Sequence, residues 1–139
     1  VISGDDSRTD HLESFNALYP RGGYFGLLAI IGPSNLIDVH PSMKWSLIPK
    51  LFLSLDVDIF WRYSIDDGIY LPSGRLNRSS GDSMNRYIGY QGGMQIGYEV
   101  NRYLTIDTSF FYFINGGFIE DVTAGNNISQ WSFSTSVRF

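Results

Sequence analysis

The feature that most constrains this chain is an alternation of apolar and polar residues that returns in several long segments. In residues 37–47 the apolar members are Ile37, Val39, Pro41, Met43, Trp45 and Leu47, and the polar members are Asp38, His40, Ser42, Lys44 and Ser46. Residues 51–64 repeat the pattern over a longer stretch. Successive side chains of a strand point to opposite faces, so a period of two predicts strands with one apolar and one polar face.

Three further segments alternate in the same way, at residues 88–100, 104–115 and 130–139. The connections between the segments are alternately short, at 48–50 and 101–102, and long and rich in turn-forming residues, at 65–85 and 116–127. Strands of about 12 residues are longer than those of soluble sheets and suit a tilted crossing of a bilayer. Short turns on one side and long loops on the other are typical of outer-membrane barrels. We therefore predict an all-β, antiparallel transmembrane β-barrel fold.

A soluble β-sandwich remains the alternative fold. Its apolar faces would form the core, and the near absence of charge from those faces is expected in either case. Such a protein, for example a carbohydrate-binding sandwich, should purify without detergent. Residues 24–31 are a weaker prediction, either a strand or a buried loop segment.

Composition excludes several other classes. The 139 residues predict one unit, residues 1–139, and contain no cysteine, so disulfides, thiolate nucleophiles and cysteine-bound metal are excluded. A net charge of −4 without a basic stripe argues against a nucleic-acid partner. The longest apolar run, residues 25–31, is too short for a membrane-spanning helix. No cofactor is expected.

Large aromatic side chains lie toward the ends of the predicted apolar strand faces. In a barrel these rings would sit at the lipid interface, where their amphipathic character is favourable. The predicted interface aromatics are Trp45, Tyr63, Tyr90, Tyr98, Tyr112 and Phe139.

Several blocks of the sequence resemble the alginate-export family of outer-membrane barrels. They are FNALYPRGGYFG at 15–26, IGPSNLID at 31–38, FWRYS at 60–64, DGIY at 67–70 and PSG at 72–74. The resemblance implies a porin-like, up-and-down barrel of many strands in the Gram-negative outer membrane, of which this chain supplies the C-terminal five or six. Because the smallest membrane barrels have about 8 strands, the remaining strands must come either from the same, longer polypeptide or from further chains. We favour the longer polypeptide.

The resemblance also implies partners. They are outer-membrane lipid, lipopolysaccharide and the barrel-assembly machinery, which would recognise the C-terminal strand ending at Phe139. Family members that export an anionic uronate polymer are expected to use a constriction rich in arginine and lysine. Arg62, in the Trp61-Arg62-Tyr63 block, is the best single candidate for contact with a permeating anion. A lumen salt bridge to a neighbouring Asp is an equal alternative for this residue.

The polar strand faces would line the lumen and carry both signs of charge. The candidate substrate path consists of His40, Lys44, Asp56, Asp58, Arg62 and Arg138. Asp56 and Asp58 lie about 6.6 Å apart along a strand, near the spacing of inverting glycosidases, but alternation places any two such residues there. His40 has no partner at a spacing that predicts a triad or a metal site.

We therefore expect no catalytic residue, no metal site and no enzyme. The predicted function is a passive channel or exporter for acidic polysaccharide or small anionic solutes. The alternatives are a non-conducting barrel that anchors a larger complex and the soluble carbohydrate-binding sandwich.

Overall fold

The fold is antiparallel β structure with a single short helix among the described residues. The computed structural model describes residues 1–6, 8–19 and 23–139. Pro20, Arg21 and Gly22, which belong to the first block of the family resemblance, lie outside the described residues. The elements are β1 (Leu36–Val39), β2 (Ser42–Ile48), β3 (Leu51–Arg62), β4 (Ile69–Tyr70), β5 (Leu76–Arg78), β6 (Tyr87–Asn101), β7 (Leu104–Asn115), α1 (Gly117–Val122) and β8 (Ile128–Val137).

The main sheet has six strands, and every pairing in it is antiparallel. Its order is β1-β3-β6-β7-β8, and β2 also pairs with β3. The predicted all-β antiparallel class is thereby confirmed. Within the described part of the chain the sheet is open. β8 pairs only with β7, and the β1/β2 edge pairs with β3 and otherwise only through an isolated bridge between Leu36 and Ile2. No helix among the described residues has the length and apolar character needed to cross a membrane.

The predicted strand at 37–47 is interrupted at His40 and Pro41. β1 and β2 nevertheless continue one register against β3, because Val39 pairs with Ile59 and Ser42 with Asp56. Proline has no N–H to donate to the ladder, and its carbonyl accepts the Val57 N–H at 3.0 Å. β1 and β2 are thus one strand with a local break.

The two long connections are more ordered than predicted. Residues 65–85 contain the β4–β5 hairpin, and residues 116–127 contain α1. The sequence analysis predicted long, turn-rich connections there and did not predict the hairpin or the helix. Residues 24–31 form turns rather than a strand, with Ile31 buried, which agrees with the alternative of a buried loop segment.

The main sheet has an outer face, carrying the apolar alternating set, and an inner face, carrying the polar set. We call residues 1–34 the N-terminal segment. At the end of the sheet nearest the long connections, its residues 23–34 and those connections fold over the inner face. A core forms there from Ile31, Leu36, Phe60, Ile69, Ile88, Phe113 and Phe118. We call this covered part of the inner face the capped half, and the part nearest the short turns the open half.

Close packing on the inner face depends on glycine. The Phe111 ring of β7 lies against its cross-strand partner Gly93, where an added Cβ would stand 2.2 Å from ring atom Cε1. Gly89 has φ of 146° beside the β3–β6 register shift, and a Cβ there would meet the Ile114 carbonyl oxygen at 2.3 Å. Glycine therefore relieves crowding between neighbouring strands at these two positions.

Candidate transport surface

The open half of the inner face holds a polar cavity of about 240 Å³. Its charged members are Lys44, Glu99, Asp107 and Arg138, and its other lining residues include Phe52, Ser54 and Gln95. Pairing of Ser54 with Gln95, and of Gln95 with Ser109, brings side chains of neighbouring strands onto this one face. The open half is thus a polar wall with both signs of charge.

Lys44 and Arg138, two members of the predicted path, both line this cavity. The Lys44 ammonium lies 5.1 Å from the centre of the Phe52 ring, within cation–π range. Arg138 follows β8, and its backbone N–H donates to the Tyr103 carbonyl at 2.9 Å, so pairing with the turn before β7 continues past the strand end. These two cations are available to an anion in the open half.

Arg62 has a different setting, in the capped half, with a relative exposure of 0%. Its guanidinium donates five hydrogen bonds of 2.6 to 3.1 Å, all to backbone carbonyls, of Ile65, Asp67, Ser83 and Asn85. The Phe118 ring covers it, with 4.0 Å between Cζ and the ring centre. Among the described residues no carboxylate forms an ion pair with it. The Arg62 side chain thus links two parts of the 65–85 connection to each other and to α1. It has no exposed surface that a solute could contact.

A second set of bonds fastens α1 to the end of the 65–85 connection. The Ser83 hydroxyl and the Asn85 amide each donate to Asp121 Oδ2 at 2.6 Å. These two donors, with a smaller contribution from the Arg62 charge, lower the pKa of the Asp121 carboxyl, so it is ionised at neutral pH.

We expect Asp121→Ala to loosen this connection. Loss of the acceptor should cost about 1 kcal/mol locally and raise the rate of tryptic cleavage after the exposed Arg78 by about fivefold. Glu120→Ala, the preceding residue on the same helix, is the matched control and should leave the rate unchanged. Equal rates for the two variants would contradict the role of Asp121.

The N-terminal segment is held by Asn35 and Asp67. Asn35 is fully buried at a positive φ of 49°, accepts the Ser64 N–H at 2.6 Å and donates its amide to the Gly68 carbonyl at 2.9 Å. The Asp67 carboxylate accepts from the Asp5 N–H and the Ser14 hydroxyl. It also accepts from the Tyr70 hydroxyl, and burial together with this carboxylate raises the pKa of Tyr70. Periodicity gave no signal for this network, because its members lie outside the long strands.

His40, Asp56 and Asp58 lie together at the break between β1 and β2. His40 Nε2 is 3.3 Å from Asp56 Oδ1, and His40 Nδ1 is 3.3 Å from Asp58 Oδ1. Asp38 lies close as well: one ligand atom each of Asp38, His40 and Asp58 lies within 4.8 Å of the others. The sequence analysis did not predict this proximity. The spacing Asp38-x-His40 indicates from the sequence that these two side chains share one face of a strand. Their contact with Asp58 depends on the register of β1 and β2 against β3.

The predicted interface aromatics lie on the outer face or at its ends, and all are exposed. Trp45 is on β2, Tyr90 and Tyr98 are on β6, Tyr112 is on β7, Tyr63 follows β3, and Phe139 lies beyond β8. Their contact with lipid remains a prediction.

Comparison with known proteins supplies the family. The sequence profile of the Alginate export family matches residues 2–130, nearly the whole chain. No curated protein and no solved structure matches the chain significantly. The matched family is one of transport proteins of the Gram-negative outer membrane. The extent of the match shows that this chain belongs to the alginate-export family.

Proposed function

We propose that this chain forms part of the wall of an outer-membrane β-barrel that conducts acidic polysaccharide, passively and without catalysis. The observation that carries the proposal is the exposed apolar outer face, which spans neighbouring strands of the main sheet. It includes Met43 and Leu47 on β2, Leu55 and Val57 on β3, Met94 on β6, Phe110 on β7 and Trp131 and Phe133 on β8. A soluble sandwich would cover such a face.

Lipid is the natural cover for this face. Four exposed tyrosines, Tyr63, Tyr90, Tyr98 and Tyr112, lie toward the strand ends, as expected at the two interfaces of a bilayer. Leu55, Val57, Met94 and Phe110 lie between them. Among the described residues neither β8 nor the β1/β2 edge beyond the Ile2–Leu36 bridge has a further neighbouring strand, and unpaired backbone groups at such edges are not tolerated in the hydrocarbon region. We propose that the remaining strands of the same barrel pair with these edges. Lipopolysaccharide and the assembly machinery are the further partners of this proposal.

The open half of the inner face would then border the aqueous passage. Lys44 and Arg138 are the cations there that attract uronate carboxylates, and Glu99 and Asp107 keep their attraction weak enough for release. Arg62 has a structural role in this proposal, because its N–H groups already donate hydrogen bonds to backbone carbonyls. His40, Asp56 and Asp58 lie nearer the capped half.

A non-conducting scaffold is the second candidate, and the capped half favours it. The N-terminal segment reaches across the inner face, where Gln91 donates to the Phe25 carbonyl at 3.0 Å and Phe25 packs edge-on against Phe60 at 5.5 Å. A segment that lies over the inner face narrows the lumen of the barrel. A barrel whose lumen is closed by such a segment would anchor a complex without conducting.

Lys44→Glu tests the channel directly. In planar bilayers the full-length protein should show stable conductance steps that uronate oligomers block. Reversing one charge in the open half should weaken that block about fivefold, since the change is worth roughly 1 kcal/mol in a partly hydrated site. The matched control is Lys50→Glu, because Lys50, the other lysine, lies in the β2–β3 turn.

Two results would count against this scheme. Equal loss of block in Lys44→Glu and Lys50→Glu would remove Lys44 from the path. A protein that inserts as a barrel but never conducts would contradict transport and favour the scaffold.

A further inference from the structure

The break in the strand formed by β1 and β2 brings three metal-binding side chains together. Asp38, His40 and Asp58 each offer one ligand atom, and these atoms all lie within 4.8 Å of one another. The continuous register of β1 and β2 against β3 places all three on the inner face. Their approach therefore follows from the pairing of the sheet.

Two carboxylate oxygens in this group are buried without a hydrogen-bond partner among the described residues. They are Oδ1 of Asp38 and Oδ1 of Asp58, and Asp58 as a whole is only 1% exposed. His40 Nδ1 lies 3.3 Å from Asp58 Oδ1 but in a geometry that makes no hydrogen bond. A buried, unpaired carboxylate oxygen is costly. A cation between the three side chains would satisfy both oxygens.

Two neighbouring residues hydrogen-bond to the proposed ligand side chains in the way that is common around metal sites. His40 Nε2 lies 3.3 Å from Asp56 Oδ1, so a metal on Nδ1 would leave an Nε2–H for the Asp56 carboxylate. Gln91 Nε2 donates to the second oxygen of Asp58 at 3.1 Å. Metal-bound histidines commonly donate their other ring N–H to a carboxylate, and ligating carboxylates are themselves hydrogen-bonded. Asp56 and Gln91 would act as positioning residues.

We infer that Asp38, His40 and Asp58 bind a divalent transition-metal ion. One imidazole and two carboxylates suit Zn²⁺ and its neighbours, with water in the open positions. With bonds of about 2.1 Å the ligand atoms of a tetrahedral site stand about 3.4 Å apart, so small side-chain rotations would close the present spacing. The ion would fasten β1 to β3 beside Pro41, where the ladder lacks an N–H.

The site is tested with metal alone, on the full-length protein folded in detergent. Co²⁺ titration should give ligand-field absorption bands at one equivalent, and Zn²⁺ should displace it. His40→Gln and Asp38→Asn should abolish the bands or raise the dissociation constant more than tenfold. His11→Gln is the matched control, since His11 is the only other histidine and is exposed; it should leave binding unchanged.

Folding is checked by heat-modifiable migration, so that loss of binding is not confused with unfolding. His40→Gln is the milder variant, because His40 is exposed whereas Asp38 is partly buried. Bands that persist unchanged in His40→Gln and Asp38→Asn would overturn the inference. So would a folded wild-type protein that binds no Co²⁺ or Zn²⁺; the group would then be a contact between His40 and its neighbouring carboxylates without a metal.

Discussion

Replacing Arg62 with alanine should destabilise the folded protein by about 3–5 kcal/mol. Four backbone carbonyls in the capped half would lose charge-assisted donors, and each such bond contributes about 1.5–3 kcal/mol. Water that enters the space left by the side chain would compensate part of this loss. Phe118 would also lose the planar group against which it packs. The measurement is the urea midpoint of the protein in detergent micelles, followed by heat-modifiable migration and by tryptophan fluorescence.

Two variants make the result specific. Arg75→Ala removes an exposed arginine from the same 65–85 connection and should change the stability by less than about 0.5 kcal/mol. Arg62→Lys keeps the charge but cannot serve four carbonyls with a planar fork, so it should recover only a minor part of the loss. Arg62→Ala with wild-type stability and weakened block by uronate oligomers would instead return this residue to the substrate path.

The strands and their faces could be predicted because the alternation of apolar and polar residues can be read from the sequence alone. Met94 was expected on the apolar face and Gln95 on the polar face, and their pairings with Leu55 and Ser54 confirm both. The short turns at 48–50 and 101–102 were also predicted where β2–β3 and β6–β7 connect. Local alternation is sufficient for these features.

The capped half could not be predicted, since its contacts join distant segments of the chain. Arg62 was correctly placed on the polar face, but alternation does not say what covers that face. The six residues of α1 are too few to establish a helical period. Asn35 is fixed by a positive φ and by tertiary hydrogen bonds, for which the sequence carries no periodic signal.

The grouping of Asp38, His40 and Asp58 could be predicted only in part. The alternation shows that Asp38 and His40 share one strand face and that Asp58 lies on the polar face of another strand, and the pairing of these strands was expected. Only the register of β1 and β2 against β3 determines which members meet, and a register cannot be read from alternation alone.

Met94→Arg should separate a membrane barrel from a soluble sheet. Met94 lies midway along β6 on the outer face, 43% exposed, between Leu55 and Phe110 on the neighbouring strands. At the middle of a bilayer an arginine on the lipid face costs about 2–4 kcal/mol. The urea midpoint of the full-length protein in lipid vesicles should fall accordingly, with slower insertion of the unfolded chain.

Gln95→Arg is the matched control, one residue further along the same strand and on the inner face. A charge there faces the aqueous open half, so its cost should be less than about 1 kcal/mol. The difference between the variants should shrink in short-chain detergent, where water reaches the strand more easily. If both arginines are tolerated equally in vesicles, the outer face does not meet lipid, and the proposed membrane position of this sheet is wrong.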